Sequence, residues 1–206
     1  PILSQNKDNN ILHYNSRRKI ISHTGFMLMD VGCKFERYCS DITRVFPMNG
    51  VFTPDQTMIY MVVLNTLKAT LQFIHPGKHF SEISDEAYRV LYNECRKIDL
   101  VRETPPNLRA SVMSKFMPHR IGHSIGLDTH DVGNLDIIKE EMVLAIEPGL
   151  YFYDDNNSEY LNKKLFNRLK KNGGVRLEDT IVVTKTGIRN LSKVPIEIED
   201  IQRLCK

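Results

Sequence analysis

The sequence predicts a single α+β domain, and three observations carry that prediction. Two hairpin-like pairs of apolar runs stand toward its two ends, at 25–46 and 175–192. Between them, helix-capping signals and apolar residues at helical spacing mark a helical segment. No linker, internal repeat or low-complexity stretch divides the 206 residues, whose 41% hydrophobic content suffices for one core.

In chain order, "SQNKDNN" (4–10) is polar and turn-like, and "ILHY" (11–14) reads as a short strand. "GFMLMDVG" (25–32) reads as a buried strand and "RYCSDITRVF" (37–46) as its partner, with the turn in "CKFE". "TPDQ" (53–56) sets Thr53 as N-cap, Pro54 at the first helical position and Gln56 three residues on. The helix that follows runs through Met58, Val62, Leu67 and Leu71 and stops near "HPG" (75–77). Ser81 opens a second helix with Ile83, Ala87, Val90, Leu91 and Cys95 on its apolar side. Residues 104–118 read as irregular, and "HRIGHSIGLDTHD" (119–131) is polar and punctuated by glycine. "MVLAIEPGLYFY" (142–153) is a strand ending in a turn, and 154–174 reads as a basic, solvated insertion. "VRLEDTIVVT" (175–184) and "GIRNLS" (187–192) form a hairpin, and "PIEIEDIQRLC" (195–205) a closing helix.

Bulk properties exclude several classes. A net charge of +3 with no arginine-rich stripe argues against a nucleic-acid partner. No apolar run approaches the ~18 residues of a membrane span. Cys33, Cys39, Cys95 and Cys205 form no CxxC pair and read as free thiols.

Four acids interrupt apolar, strand-like runs: Asp30, Asp41, Glu147 and Glu178. A hairpin turning about residues 35 and 36 would set Asp30 directly opposite Asp41, where like charges repel. Taken singly, a strand acid reads as a salt-bridge or edge residue, and a histidine as a hydrogen-bonded one. Together they outnumber the nearby arginines Arg44 and Arg176, and acids are rarely buried unpaired. "HRIGHSIGLDTHD" adds His119, His123 and His130. One imidazole with four carboxylates is a hard, oxygen-rich set that suits two divalent ions of the manganese, cobalt, iron or zinc type. "GHSIG" (122–126) matches the letters of a serine nucleophile elbow, but lacks the strand that must precede one.

With these residues placed, the chain resembles the catalytic domain of the dinuclear metallopeptidases of the pita-bread fold: aminopeptidase P, prolidase, methionine aminopeptidase and creatinase. The matching segments are "ILHY", "MLMDVGCKFERYCSDITRVFP", "HRIGHSIGLDTHDVG", "LAIEPGLY" and "GVRLEDTIVVT", in the family's order across almost the whole chain. "SDITRVFPMNGVFTPDQ", "IGLDTHD" and "VPIEIEDIQRL" are similar to aminopeptidase P, and within it to the mitochondrial intermediate-cleaving type.

The resemblance implies a curved, mainly antiparallel sheet with helices on its outer face. It implies two divalent ions, with manganese expected, sharing a water or hydroxide. Asp30 would hold one ion, Asp41 and Glu178 would bridge both, and His123 and Glu147 would complete the second. Glu147 would relay a proton to the leaving amine. His13, His119 and His130 would donate to the carbonyl oxygen as charge builds there, Tyr151 would lie near the substrate, and Arg176 would orient neighbouring carboxylates. Relatives carry two further helices and often a non-catalytic domain ahead of the matched region. Residues 1–206 are therefore expected to be a C-terminal catalytic domain truncated at its N-terminus, with apolar surface bared on one half of the sheet. The implied partners are peptide or precursor-protein N-termini, cleaved after the first residue of an Xaa-Pro pair or after a bulky first residue. A homodimer and a mitochondrial location are implied too, with the cytoplasm as the alternative. Two other readings stay open: a metal-free peptide- or protein-binding module on the same fold, and a non-catalytic domain whose acids are salt-bridged.

Overall fold

The computed structural model describes residues 1–16, 19–133 and 135–205. The first hairpin forms, with a third strand beside it. β1 (Ile2–Gln5) pairs antiparallel with β2 (Phe26–Val31), in register Ile2↔Asp30. A 3-10 turn over Asn6–Asn10 ends β1, and residues 11–14 follow as turns rather than the expected strand. The place beside β2 is already filled by Ile2–Gln5. The polar stretch is anchored by its side chains instead: Asn9 donates to the Gly174 carbonyl at 3.3 Å, and Asn10 Oδ1 accepts from the Phe152 amide at 2.8 Å.

Beyond β2, the tip strands β3 (Lys34–Phe35) and β4 (Tyr38–Cys39) lead into β5 (Ile42–Pro47). The two-residue turn is Glu36-Arg37, both with positive φ (46° and 73°), one residue later than the sequence suggested. That slip corrects the register. Asp30 lies opposite Thr43, not Asp41, and Asp41 sits on the diagonal just before β5. Both acids still share a face, because residues two apart on a strand do.

α1 (Pro54–Phe73) starts as expected: Thr53 Oγ1 accepts from the Gln56 amide at 3.2 Å, and Gln56 Oε1 from the Thr53 amide at 2.9 Å. Ile59, Tyr60, Val63, Leu64 and Leu67 bury it against its neighbours. α2 (Phe80–Lys97) begins one residue before Ser81, where the sequence reading opened it; His79 is the cap, and Glu82 accepts its amide at 2.8 Å. The expected apolar side (Ile83, Ala87, Val90, Leu91, Cys95) is buried. The stretch read as irregular contains α3 (Pro106–Ser114). Pro106 stands at a helix start, where its missing N–H costs nothing.

The second sheet is antiparallel in order β11-β10-β7-β6. Its strands in chain order are β6 (Gly122–Ser124), β7 (Val143–Ile146), β10 (Asp179–Thr184) and β11 (Gly187–Asn190). β8 (Gly149–Leu150) and β9 (Val175–Arg176) continue the β7–β10 pairing with unchanged register past a gap at Glu147-Pro148. A Cβ on Gly122 would lie 1.9 Å from the Ala145 carbonyl oxygen, so glycine is what lets β6 approach β7.

The basic excursion is not a solvated loop. α4 (Lys163–Leu169) buries Leu165, Phe166 and Leu169 in the common core while Lys163 and Lys164 face solvent. Its charge density hid an apolar stripe at helical spacing. α5 (Ile198–Leu204) closes the chain, and all four cysteines are free thiols. No described helix is long and apolar enough to cross a membrane.

The two sheets meet at β5 and β10. The Glu178 amide donates to the Thr43 carbonyl at 3.1 Å, and Thr180 Oγ1 to the Asp41 carbonyl at 2.6 Å. Buried Arg44 ties the seam: it pairs with Asp179 at 2.7 Å and donates to the carbonyls of Glu178, Thr43 and Val194. On the other side of β2 and β5, Met29, Val31, Ile42 and Phe46 line an apolar groove of about 300 Å³ with α5.

Candidate metal centre

The seam between the sheets brings the four acids together. Asp30 comes from β2, Asp41 from the residue before β5, Glu147 from the end of β7 and Glu178 from the residue before β10. One step beyond the Ile146↔Asp179 pair, the register sets Glu147 opposite Glu178. His123, central in β6, projects among them. Its Nε2 lies 3.7 Å from Glu147 Oε1, 3.9 Å from Asp41 Oδ2 and 3.9 Å from Glu178 Oε1. Ligand atoms of Asp41, His123 and Glu178 all lie within 4.8 Å of one another. Asp30 joins through its neighbours: it contacts Asp41, and its Oδ2 accepts from Arg176 Nη2 at 2.6 Å.

The electrostatics are those of a cage short of positive charge. Burial and then the charge of Asp30 push Asp41 up to about 7. Burial pushes Glu147 up to about 7 as well, against the pull of Arg176. Burial and the other three acids hold Glu178 well above the usual carboxylate range. Desolvation is the leading cause each time, since the charged form loses water without gaining enough counter-charge. Arg176, 3% exposed, serves Asp30 at 2.6 Å and stands 3.8 Å from Glu147 Oε2. One guanidinium beside two of the acids cannot balance four carboxylates.

Two details show that cations fit. Glu178 Oε1 is buried and has no hydrogen-bond partner. His123 Nδ1 lies 3.0 Å from the Ser124 carbonyl, which can only accept, so the ring hydrogen is there and the Nε2 lone pair faces the carboxylate oxygens. Lone pairs converging from an imidazole and three carboxylates repel unless a proton or a cation lies between them. A hard, mostly oxygen donor set on this scale suits divalent ions.

The three other histidines marked in the sequence, His13, His119 and His130, border the same cavity as the acids, about 1020 Å³ in volume, and so does His79. His13 and His130 are exposed to it, and the His130 ring stands 4.3 Å from that of His123, centroid to centroid. His119 differs. Burial lowers it to about 4, so it is neutral near pH 7. Its Nδ1 donates to the Arg120 carbonyl at 2.8 Å, and its Nε2 accepts from Tyr151 Oη at 3.0 Å. Tyr151 Oη accepts in turn from Arg176 Nη1 at 3.2 Å. Tyr151 is fully buried behind His119 and does not line the cavity, so it reaches the cavity through that imidazole.

Sequence reasoning passed over Thr43, which is fully buried and donates from Oγ1 to Glu178 Oε2 at 2.7 Å. It also passed over the Arg44–Asp179 pair behind Glu178. Thr43 could have been found two places from Asp41 on the same strand face.

Comparison with known proteins agrees with this geometry. Residues 1–185 match the model of metallopeptidase family M24. The chain is 34% identical over 208 residues to the Xaa-Pro aminopeptidase of Escherichia coli, covering 96% of itself and 45% of that protein. It is 30% identical over 231 residues to a probable Xaa-Pro aminopeptidase of Phaeosphaeria nodorum, covering 100% of itself and 50% of the relative. An E. coli aminopeptidase P structure superposes with a TM-score of 0.87 at 33% identity, over 99% of this chain and 46% of that one. A Pseudomonas aeruginosa aminopeptidase gives 0.89 at 34% identity, over 99% and 46%. Another E. coli aminopeptidase P structure is zinc-substituted and in complex with product. The chain thus spans about half the length of the relatives it matches. The superpositions bear out the pita-bread fold, and the chain belongs to metallopeptidase family M24, with aminopeptidase P members among its relatives.

Proposed function

We propose that residues 1–206 act as the catalytic domain of a metal-dependent aminopeptidase that removes the first residue of peptides, with Xaa-Pro N-termini as the leading substrate class. The observation that carries this is the convergence of Asp30, Asp41, His123, Glu147 and Glu178 at the base of one open cavity. The leading substrate class rests on relatives named as Xaa-Pro aminopeptidases.

Asp30, Asp41, His123, Glu147 and Glu178 would hold two divalent ions, which when bound lower the pKa of a shared water and stabilise charge on a carbonyl oxygen. Glu147 lines the cavity among the other acids, where a carboxylate can take a proton and return it to a leaving amine. His13 and His130 border the substrate side, placed to donate to the carbonyl oxygen as it gains charge. His119 would do so only after releasing Tyr151, so its present role is to end the chain Arg176–Tyr151–His119.

The finer parts of the proposal rest on family resemblance alone: manganese as the working ion, imported precursor proteins with bulky first residues as substrates in mitochondria, and a homodimer. The deciding experiment is an N-terminal peptide library incubated with the full-length protein and manganese. Release of single residues ahead of proline supports the Xaa-Pro reading, whereas preference for bulky first residues without proline moves the substrate to precursor N-termini. Turnover that survives Asp41→Asn combined with Glu178→Gln refutes the enzyme reading.

A further inference from the structure

We propose that Thr43 is a positioning residue for the metal centre, fixing the orientation of Glu178 and passing the hold of Arg176 on to it. The inference rests on the two-cation reading above and deepens it.

Thr43 grips Glu178 at both ends. Its carbonyl accepts the Glu178 amide at 3.1 Å, and its hydroxyl lies 2.7 Å from Glu178 Oε2. The direction of the second bond follows from the donors present. Arg176 Nε donates to Thr43 Oγ1 at 3.4 Å, and a guanidinium has hydrogens but no lone pair to offer. The single hydroxyl hydrogen is therefore free for Glu178, which accepts it. Thr43 is also the residue opposite Asp30 in the β2–β5 register. One arginine thus serves two ligands on opposite sides of the cage, Asp30 directly at 2.6 Å and Glu178 through Thr43. With Oε2 held, Oε1 is left buried, unpartnered and aimed toward His123 Nε2, 3.9 Å away. The hydroxyl selects which oxygen is presented to a cation. Partners that orient metal ligands in this way typically contribute about 10–100-fold in metal affinity.

Valine has nearly the shape of threonine and lacks the hydroxyl, so Thr43→Val in the full-length protein is the first test. Cobalt(II) titration followed by visible absorption and calorimetry reads binding independently of turnover. T43V is expected to bind cobalt about 10–100-fold more weakly, with an altered band shape, and Thr43→Ser, which keeps the hydroxyl, to restore both. Should T43V not fold, T43S against Thr43→Ala makes the same comparison, because that pair differs by the hydroxyl alone. Wild-type affinity and spectrum in T43V, or a T43S loss as large as that of T43V or T43A, overturns the proposal while leaving the two-cation reading standing. A wild-type protein that takes up no cobalt overturns both.

Discussion

The two strand pairs that supply the acids solve the same problem differently. In the first, β2 and β5, the slipped turn staggers Asp30 and Asp41, and Thr43 faces Asp30. Their side chains keep 19% and 12% of their exposure, and Arg176 touches Asp30 directly. In the second, β7 and β10, Glu147 and Glu178 stand opposite each other in register, and Glu178 keeps only 2%. Staggering relieves like-charge repulsion on one side; on the other, Glu147 keeps 20% of its exposure and stands 3.8 Å from Arg176, whereas Glu178 has only the Thr43 hydroxyl with that guanidinium behind it. Glu178 therefore depends most heavily on a cation, and the buried unpartnered oxygen belongs to it.

The largest effect that probes this contrast comes from exchanging one acid on each side. Glu178→Gln is expected to take the protein from about two bound ions per chain to none and turnover to the uncatalysed level, because Glu178 is the most deeply buried of the proposed ligands and offers the unpartnered oxygen. Asp30→Asn is expected to retain about one. Elemental analysis after manganese loading and desalting checks this; equal losses in the two variants would erase the asymmetry. Arg176→Met comes next. It leaves Asp30 and Glu147 without their nearest counter-charge, and breaking a buried pair by removing one partner costs about 3–5 kcal/mol. Urea unfolding of the cation-free protein measures it, and a midpoint unmoved from wild type would show that the cage does not need the guanidinium.

The smallest effect is a pH dependence. Asp41 and Glu147 are raised to about 7 in the folded chain, so the folded state holds protons that the unfolded state has released. That contribution is complete below the ordinary carboxylate range near pH 4 and is lost as pH rises through about 7. The melting temperature of the chelator-treated protein is expected to fall between about pH 5 and about pH 8, and manganese to reduce that fall. A flat profile without metal would mean the acids are balanced by charges already in the chain.

Much of this was legible in the sequence where local chemistry speaks alone. Thr53, Pro54 and Gln56 announced α1, and the apolar side of α2 was readable from spacing. The four converging acids stood out as polar breaks in apolar runs, and His123 through the histidine-rich segment between them. The misses share a physical cause, which is competition from elsewhere in the chain. Glu36 and Arg37 carry no glycine or asparagine to mark their positive φ, so the hairpin register was set one residue early. Ile11–Tyr14 has strand-like letters, but β1 holds the only edge of β2 it could have used. The lysines of α4 concealed three core residues. Thr43 and Tyr151 matter through what they touch, and those contacts span 135 and 32 residues of sequence.

Gly122 carries a last consequence. The imidazole next to it owes its aim to an empty space the size of one methyl group, filled on the far side by the Ala145 carbonyl oxygen. A single added carbon there would push β6 away from β7 and shift His123 within the cage. A strict sequence requirement of this centre thus falls on a residue that offers no side chain to it.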